Sequence, residues 1–198
     1  VPYYYLTASL PGIEMEAPPP FSAEEFRAMC VSVLEEKDLS ELDCVLEDRI
    51  ADGRSVFCRE YAAAETQLRN ALVRARAGHR KIEASSWLRD HPGFSVAVEK
   101  AVTDAWAKTG PLERERVLDR HRWQVLEDLA LRDSFGLPAV LSFAARLKLA
   151  GRWAEMTEEK GQSRLAELLT GLTANETLQK MGAAEDLTKK QTGGEHHE

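Results

Sequence analysis

No part of the chain reaches the ~18–20 uninterrupted apolar residues that a bilayer-spanning helix needs. The N-terminus also lacks a basic segment followed by an apolar run. A membrane-spanning or secreted protein is therefore not expected. Phosphate-cradling loops are missing too, since neither GxxxxGK[ST] nor GxGxxG occurs and the glycines fall where helices should end. The three cysteines, Cys30, Cys44 and Cys58, form no CxxC pair and have no nearby histidine to complete a zinc-type set. They read as reduced, buried thiols of a cytosolic protein. Positive charge is in deficit, with 26 Lys and Arg against 33 Asp and Glu, so the net charge is −7 and the pI lies near 5.4. Whole-molecule attraction to nucleic acid or anionic lipid is excluded on that balance, and such binding would need a local basic patch.

Chemistry-bearing patterns are equally scarce. Metal hydrolases on helices place histidines at i and i+4, because that spacing aims two imidazoles at one ion. Here His79, His91 and His121 stand alone, with surface or boundary roles expected. His196 and His197 are adjacent near the end of the chain, where nothing preorganises a centre. Carboxylates come in neighbouring pairs such as Glu24 and Glu25, Glu113 and Glu115, and Glu158 and Glu159. Adjacent positions point about 100° apart on a helix, so these are solvated faces and not acid/base pairs. No spacing supports a Ser or Cys nucleophile. The expectation is a non-enzyme that needs no cofactor and no metal.

What the sequence does contain is helical patterning. Hydrophobic residues make up 43% and charged residues 30%, the balance of a soluble globular chain. Tyr3 to Ala8 is too brief to decide between a short strand and one helical turn. The breakers Pro11, Gly12 and Pro18 to Pro20 then make a stiff connector. Ser22 and Glu25 form a capping box, and Phe21 is placed to staple onto Phe26. Phe26, Met29, Cys30, Val33 and Leu34 put one face of a helix on the core as far as about Lys37. A shorter helix follows from Asp38 or Ser40 and ends at Asp52–Gly53.

The longest helix spans Ser55 to Ala77, with a seam of Phe57, Tyr61, Ala64, Leu68, Leu72 and Ala75 and with Gly78 as the terminating residue. Residues 80–89 read as a short linking helix, followed by helices from Ser95 to Lys108 and from Pro111 to about Arg132. A further helix runs from Pro138 through Trp153, and around Gly161 a last one begins, carrying Leu165, Leu168, Leu169 and Leu172. No tetratricopeptide or armadillo repeat is present. The fold class is all-α: an irregular bundle of seven or eight helices packed as hairpins, with a short N-terminal strand left open. Residues 1–181 form one domain, of which 1–21 is the extended segment and Pro-rich connector, and 182–198 is a mobile tail.

Two sets of residues qualify as partner contacts. Tyr3, Tyr4 and Tyr5 are suited either to an interface or to burial against the first helix. Arg69, Arg74, Arg76 and Arg80, with Lys81, cluster towards the end of the long helix, where cations also complement the helix dipole. A second set, Arg114, Arg116, Arg120 and Arg122, is interleaved with Glu113, Glu115 and Asp119, and intrahelical ion pairs are the expected outcome.

Three segments carry a resemblance: Tyr3-Tyr4-Tyr5-Leu6-Thr7-Ala8-Ser9-Leu10-Pro11, the stretch from Arg59-Glu60-Tyr61 to Asn70, and Leu141 to Leu169 with the run FAARLKLAGRWAEMTEEKG at 143–161. They resemble a bacterial family encoded among the subunits of V-type (A-type) ATPases, in the position of the C-type subunit, whose eukaryotic equivalent is the d-type subunit. The resemblance implies an all-helical, funnel-like, non-catalytic central-stalk protein that couples the rotor shaft to the membrane ring in proton or sodium transport. It further implies a cytoplasmic location at the inner face of the cell membrane, reached through protein partners, the shaft and the ring, with no role for nucleic acid. A free helical scaffold or regulatory interaction module is the alternative.

Overall fold

The computed structural model describes residues 3–171. Among them every regular element is helical: α1 (Tyr4–Ser9), α2 (Ala23–Val31), α3 (Glu36–Leu46), α4 (Val56–Arg80), α5 (Val96–Trp106), α6 (Pro111–Ala130), α7 (Leu137–Glu155) and α8 (158–171), with three short 3-10 turns. The fold is all-α. Two compact units divide at Ala154 and Glu155, so the expected domain 1–181 extends over both. The expected tail 182–198, with His196 and His197, lies outside the described residues.

Several boundaries differ from the sequence reading for identifiable reasons. The open strand is a helix: the Thr7 backbone N–H donates to the Tyr3 carbonyl at 2.9 Å, and Thr7 Oγ1 donates to the same carbonyl at 3.0 Å. The capping box of α2 forms in both directions, Ser22 N–H to Glu25 at 2.7 Å and Glu25 N–H to Ser22 Oγ at 3.1 Å, and Phe21 stacks on Phe26. This helix stops at Val31, well short of Lys37, because the chain turns back so that Leu34 joins Cys30 and Phe26 in the core. Met29 and Val33 are left exposed.

Gly78 does not end α4. The helix continues to Arg80, and Lys81 takes the left-handed conformation (φ 56°), with the Ile82 N–H reaching back to the Ala77 carbonyl at 3.1 Å. Residues 81–95 contain only the 3-10 turn Ser85–Trp87 where a linking helix was expected. Pro111 opens α6 as expected. The break after α7 falls at Met156 and Thr157, and Gly161 lies inside α8.

The first unit holds two apolar cores. The larger is built by α1, α2, α3, the start of α4, the end of α6 and α7, around Phe26, Leu42, Phe57, Leu126, Leu141 and Phe143. The smaller joins α4, α5 and the start of α6 through Leu68, Ala71, Val98, Val102 and Leu118. Helix α4 therefore serves the larger core with Phe57 and the smaller with Leu68, and α6 serves them in the reverse order, so the two helices run antiparallel. Helix α4, roughly 37 Å long at ~1.5 Å per residue, and α6 are the members common to both cores.

Candidate functional site

Between the two cores the facing helices meet at a charged layer. Asp119 of α6 is fully buried. Its carboxylate accepts from Arg122 Nη1 at 2.7 Å, from Trp153 Nε1 at 2.9 Å and from the Arg152 guanidinium. Arg122 Nε also donates to Glu65 of α4 at 2.8 Å. Arg152 Nη2 lies 3.3 Å from Glu115, and the Arg116 guanidinium stacks over the Trp153 ring. Burial opposes the charge on Arg122, but Glu65 and Asp119 outweigh it and hold its pKa above the ordinary arginine value.

The expectation of intrahelical pairs among the α6 arginines holds for Arg122 with Asp119 and needs correction elsewhere. Arg116 and Arg120 reach Glu16 in the Pro-rich connector at 3.2 and 2.8 Å, and Arg122 and Arg152 join three helices. Sequence spacing along one helix carries no information about which neighbouring helix will face it.

Beside this layer a cleft of about 350 Å³ is lined by Tyr61, Glu65, Arg69, Arg122, Lys148 and Arg152, among others. Its cations are engaged. Lys148 Nζ donates to the carbonyls of Val45 (3.2 Å) and Leu46 (2.6 Å) and to Asp48 (2.6 Å), closing the C-terminus of α3 where Asp48 adopts φ 59°. Burial, joined by the Glu65 charge, pushes the Tyr61 hydroxyl well above its ordinary pKa. These contacts tie helices together, and the cleft is a seam between structural ion pairs.

The three cysteines are free and buried. Burial pushes Cys30 and Cys58 up to about 12, which keeps them as thiols. Among the described residues no group of three or more His, Cys, Asp or Glu side chains converges as metal ligands, and no helix is long and apolar enough to cross a membrane.

The expected contact residues divide. Tyr3 is buried (3% exposed) and its hydroxyl donates to Asp38, with burial first and then that hydrogen bond raising its pKa to about 12. Tyr3 belongs to the core, not to a contact surface. Tyr5 is 88% exposed, and Tyr4 packs between Tyr5 and Phe135, with ring centroids 5.6 and 5.0 Å apart. Arg69 is exposed and 4.0 Å from Glu65, while Arg74 pairs with Glu99 at 2.7 Å. Arg76 and Arg80 are exposed and make no ion pair with a described residue.

Those two arginines stand where α4 enters the connector 81–95, and this connector is the part of the surface that sequence reasoning missed. Ile82, Trp87, Leu88 and Phe94 on it are exposed, Trp87 by 57% and Phe94 by 71%. Its backbone is nevertheless anchored at two points, Arg89 and Ser95. Asn70 and Arg89 exchange two hydrogen bonds, Nδ2 to the Arg89 carbonyl at 2.6 Å and the Arg89 N–H to Oδ1 at 3.0 Å. Gln67 and Ser95 do the same at 3.0 and 3.1 Å. Gln67 and Asn70 are buried polar residues one turn apart on α4, and that i, i+3 placement on an otherwise apolar face was the signal available in the sequence.

Residues 95–176 match the model of a family described as a protein of unknown function (DUF2764), a span that begins at the N-cap of α5 and takes in α6, α7 and α8. No curated protein and no solved structure matches the chain.

Proposed function

We propose that the chain is a non-catalytic coupling subunit of a V-type (A-type) rotary ATPase, set between the central shaft and the membrane ring at the cytoplasmic face. The class of assembly rests on the resemblance of the Tyr3–Pro11, Arg59–Asn70 and Leu141–Leu169 segments. The geometry supports a load-bearing part. Its main support is the charged layer, in which Arg122 of α6 bridges Glu65 of α4 to Asp119, and Asp119 in turn holds Arg152 and Trp153 of α7. A torque-transmitting body must resist sliding of one helix along another. Apolar contacts are non-directional, whereas a buried carboxylate holding three donors in fixed directions resists that motion. The exposed patch of Tyr4 and Tyr5 with Phe135 offers a surface for a partner subunit.

The test is affinity purification of the tagged full chain from native membranes. Recovery of shaft and ring subunits is expected. Recovery without any ATPase subunit defeats the proposal and leaves the free-scaffold reading. Weaker recovery of one of those subunits by a chain carrying Tyr4→Ser and Tyr5→Ser assigns the tyrosine surface to its partner.

A further inference from the structure

The whole chain is acidic, yet residues 74–91 carry Arg74, Arg76, Arg80, Lys81 and Arg89 against only Glu83 and Asp90. Of those cations Arg74 is paired, with Glu99. Glu83 turns its carboxylate onto its own backbone, accepting from the N–H groups of Ala84 and Ser85 at 3.0 and 3.2 Å. On the connector 81–95 four large apolar side chains, Ile82, Trp87, Leu88 and Phe94, face solvent. Two buried amides on α4 meanwhile hold the backbone beneath them at Arg89 and Ser95. Leaving Trp, Phe, Ile and Leu exposed on one connector is unfavourable in water, and the anchors at Arg89 and Ser95 bracket the stretch that carries Phe94.

We propose that the connector 81–95, with Arg76 and Arg80 at the end of α4, is a peripheral membrane contact that seats Trp87 and Phe94 in the interface of an anionic bilayer. The composition fits such a surface. Trp prefers the boundary between headgroups and acyl chains, and a bulky apolar residue flanked by several cations combines burial with attraction to anionic lipid. Shape favours a fluid receiver over a protein one. Trp87 projects from the end of a 3-10 turn and Phe94 from irregular backbone. A bilayer accepts projecting side chains without a matching socket. The inference stands apart from the rotary-ATPase proposal: a chain that binds vesicles but purifies without ATPase subunits keeps this one and loses the other.

The experiment is co-sedimentation of the full chain with vesicles of phosphatidylcholine alone or of equal parts phosphatidylcholine and phosphatidylglycerol. Binding to the anionic vesicles only, weakened by salt, is expected. The double variant Trp87→Ser, Phe94→Ser and, separately, Arg76→Glu, Arg80→Glu should each weaken it by at least about tenfold. All four positions are exposed, so far-UV circular dichroism should not move; the urea midpoint should hold for the serine pair and fall only slightly for the glutamate pair, because Arg80 sits in the last turn of α4. No sedimentation with anionic vesicles overturns the proposal, as does binding that neither variant changes. Variants that lose an acidic protein partner while the parent ignores vesicles overturn it too, in favour of a protein-docking surface.

Discussion

Single side chains carry large consequences here where buried polar groups hold helices and loops together. Asp119 is the clearest case: replacing it with Leu leaves Arg122 and Arg152 facing one another without their shared carboxylate. Breaking a buried pair in this way costs about 3–5 kcal/mol. The expected readout is a large drop in the urea midpoint, and an unchanged midpoint would show that the layer does not hold the helices. Asn70→Leu should cost about 1–3 kcal/mol, since the Arg89 backbone groups lose both partners. It should also raise hydrogen exchange at 85–95 while α4 itself stays protected.

Glu41 offers a test by pH. Burial by itself would raise its pKa, but the N–H groups of Ser55 (3.0 Å) and Arg54 (2.7 Å) donate to its carboxylate and hold the value below the ordinary 4.5. A depressed carboxylate contributes stability that is complete above its unfolded pKa and lost as pH falls through the folded one. The stability gap between the parent and Glu41→Gln should therefore be full at neutral pH and close below about pH 4. A gap independent of pH would contradict this role.

At the scale of elements, the helix ends are the informative parts. Helix α4 closes on Lys81 in a left-handed conformation that costs an ordinary residue about 1 kcal/mol or more. Lys81→Gly should accordingly raise thermal stability by about 0.5–1 kcal/mol, while removing one cation from the surface beside Arg80. The turn into α4 works under the opposite constraint. A Cβ added at Gly53 would stand 2.5 Å from the Cys58 Cβ and 2.6 Å from its Sγ. Gly53→Ala is expected to destabilise measurably by thermal melt, because Cys58 is buried and has no room to withdraw. The 3-10 turn at Leu131–Asp133 leads to a similar close approach, with Gly136 packed against the Asp133 carboxylate.

For the molecule as a whole, the unit boundary at Ala154 and Glu155 makes a prediction about autonomy. Both apolar cores and the charged layer are built from residues 3–153. A chain ending at residue 156 should keep one cooperative unfolding transition and most of its helical signal. Loss of cooperativity on that truncation would mean that α8 contributes to the first unit. Within that unit, α4 is long and shared by both cores, so stiffness along it follows from topology.

Local sequence determined most of the helices, though not the stop of α2 at Val31 or the lack of an α-helix in 81–95. Amphipathic spacing, the Ser22–Glu25 box, Pro111 at the first turn of α6 and the breakers around Gly110 and Gly136 act within one or two turns, and their effects are legible without knowing any neighbour. The seam of α4 was legible too, although its division between two cores was not. Tertiary packing decided what sequence spacing cannot carry. It buried Tyr3 while leaving Tyr5 in solvent, and turned the chain at Val31 so that Leu34 could reach the core. It brought Glu65, Asp119, Arg122 and Arg152 together from three helices. It also used Gln67 and Asn70 to hold a loop that presents Trp87 and Phe94 outward. The physical reason is range: capping and periodicity are satisfied by backbone groups a few residues away, whereas a buried polar group must be satisfied by whatever the fold places opposite it.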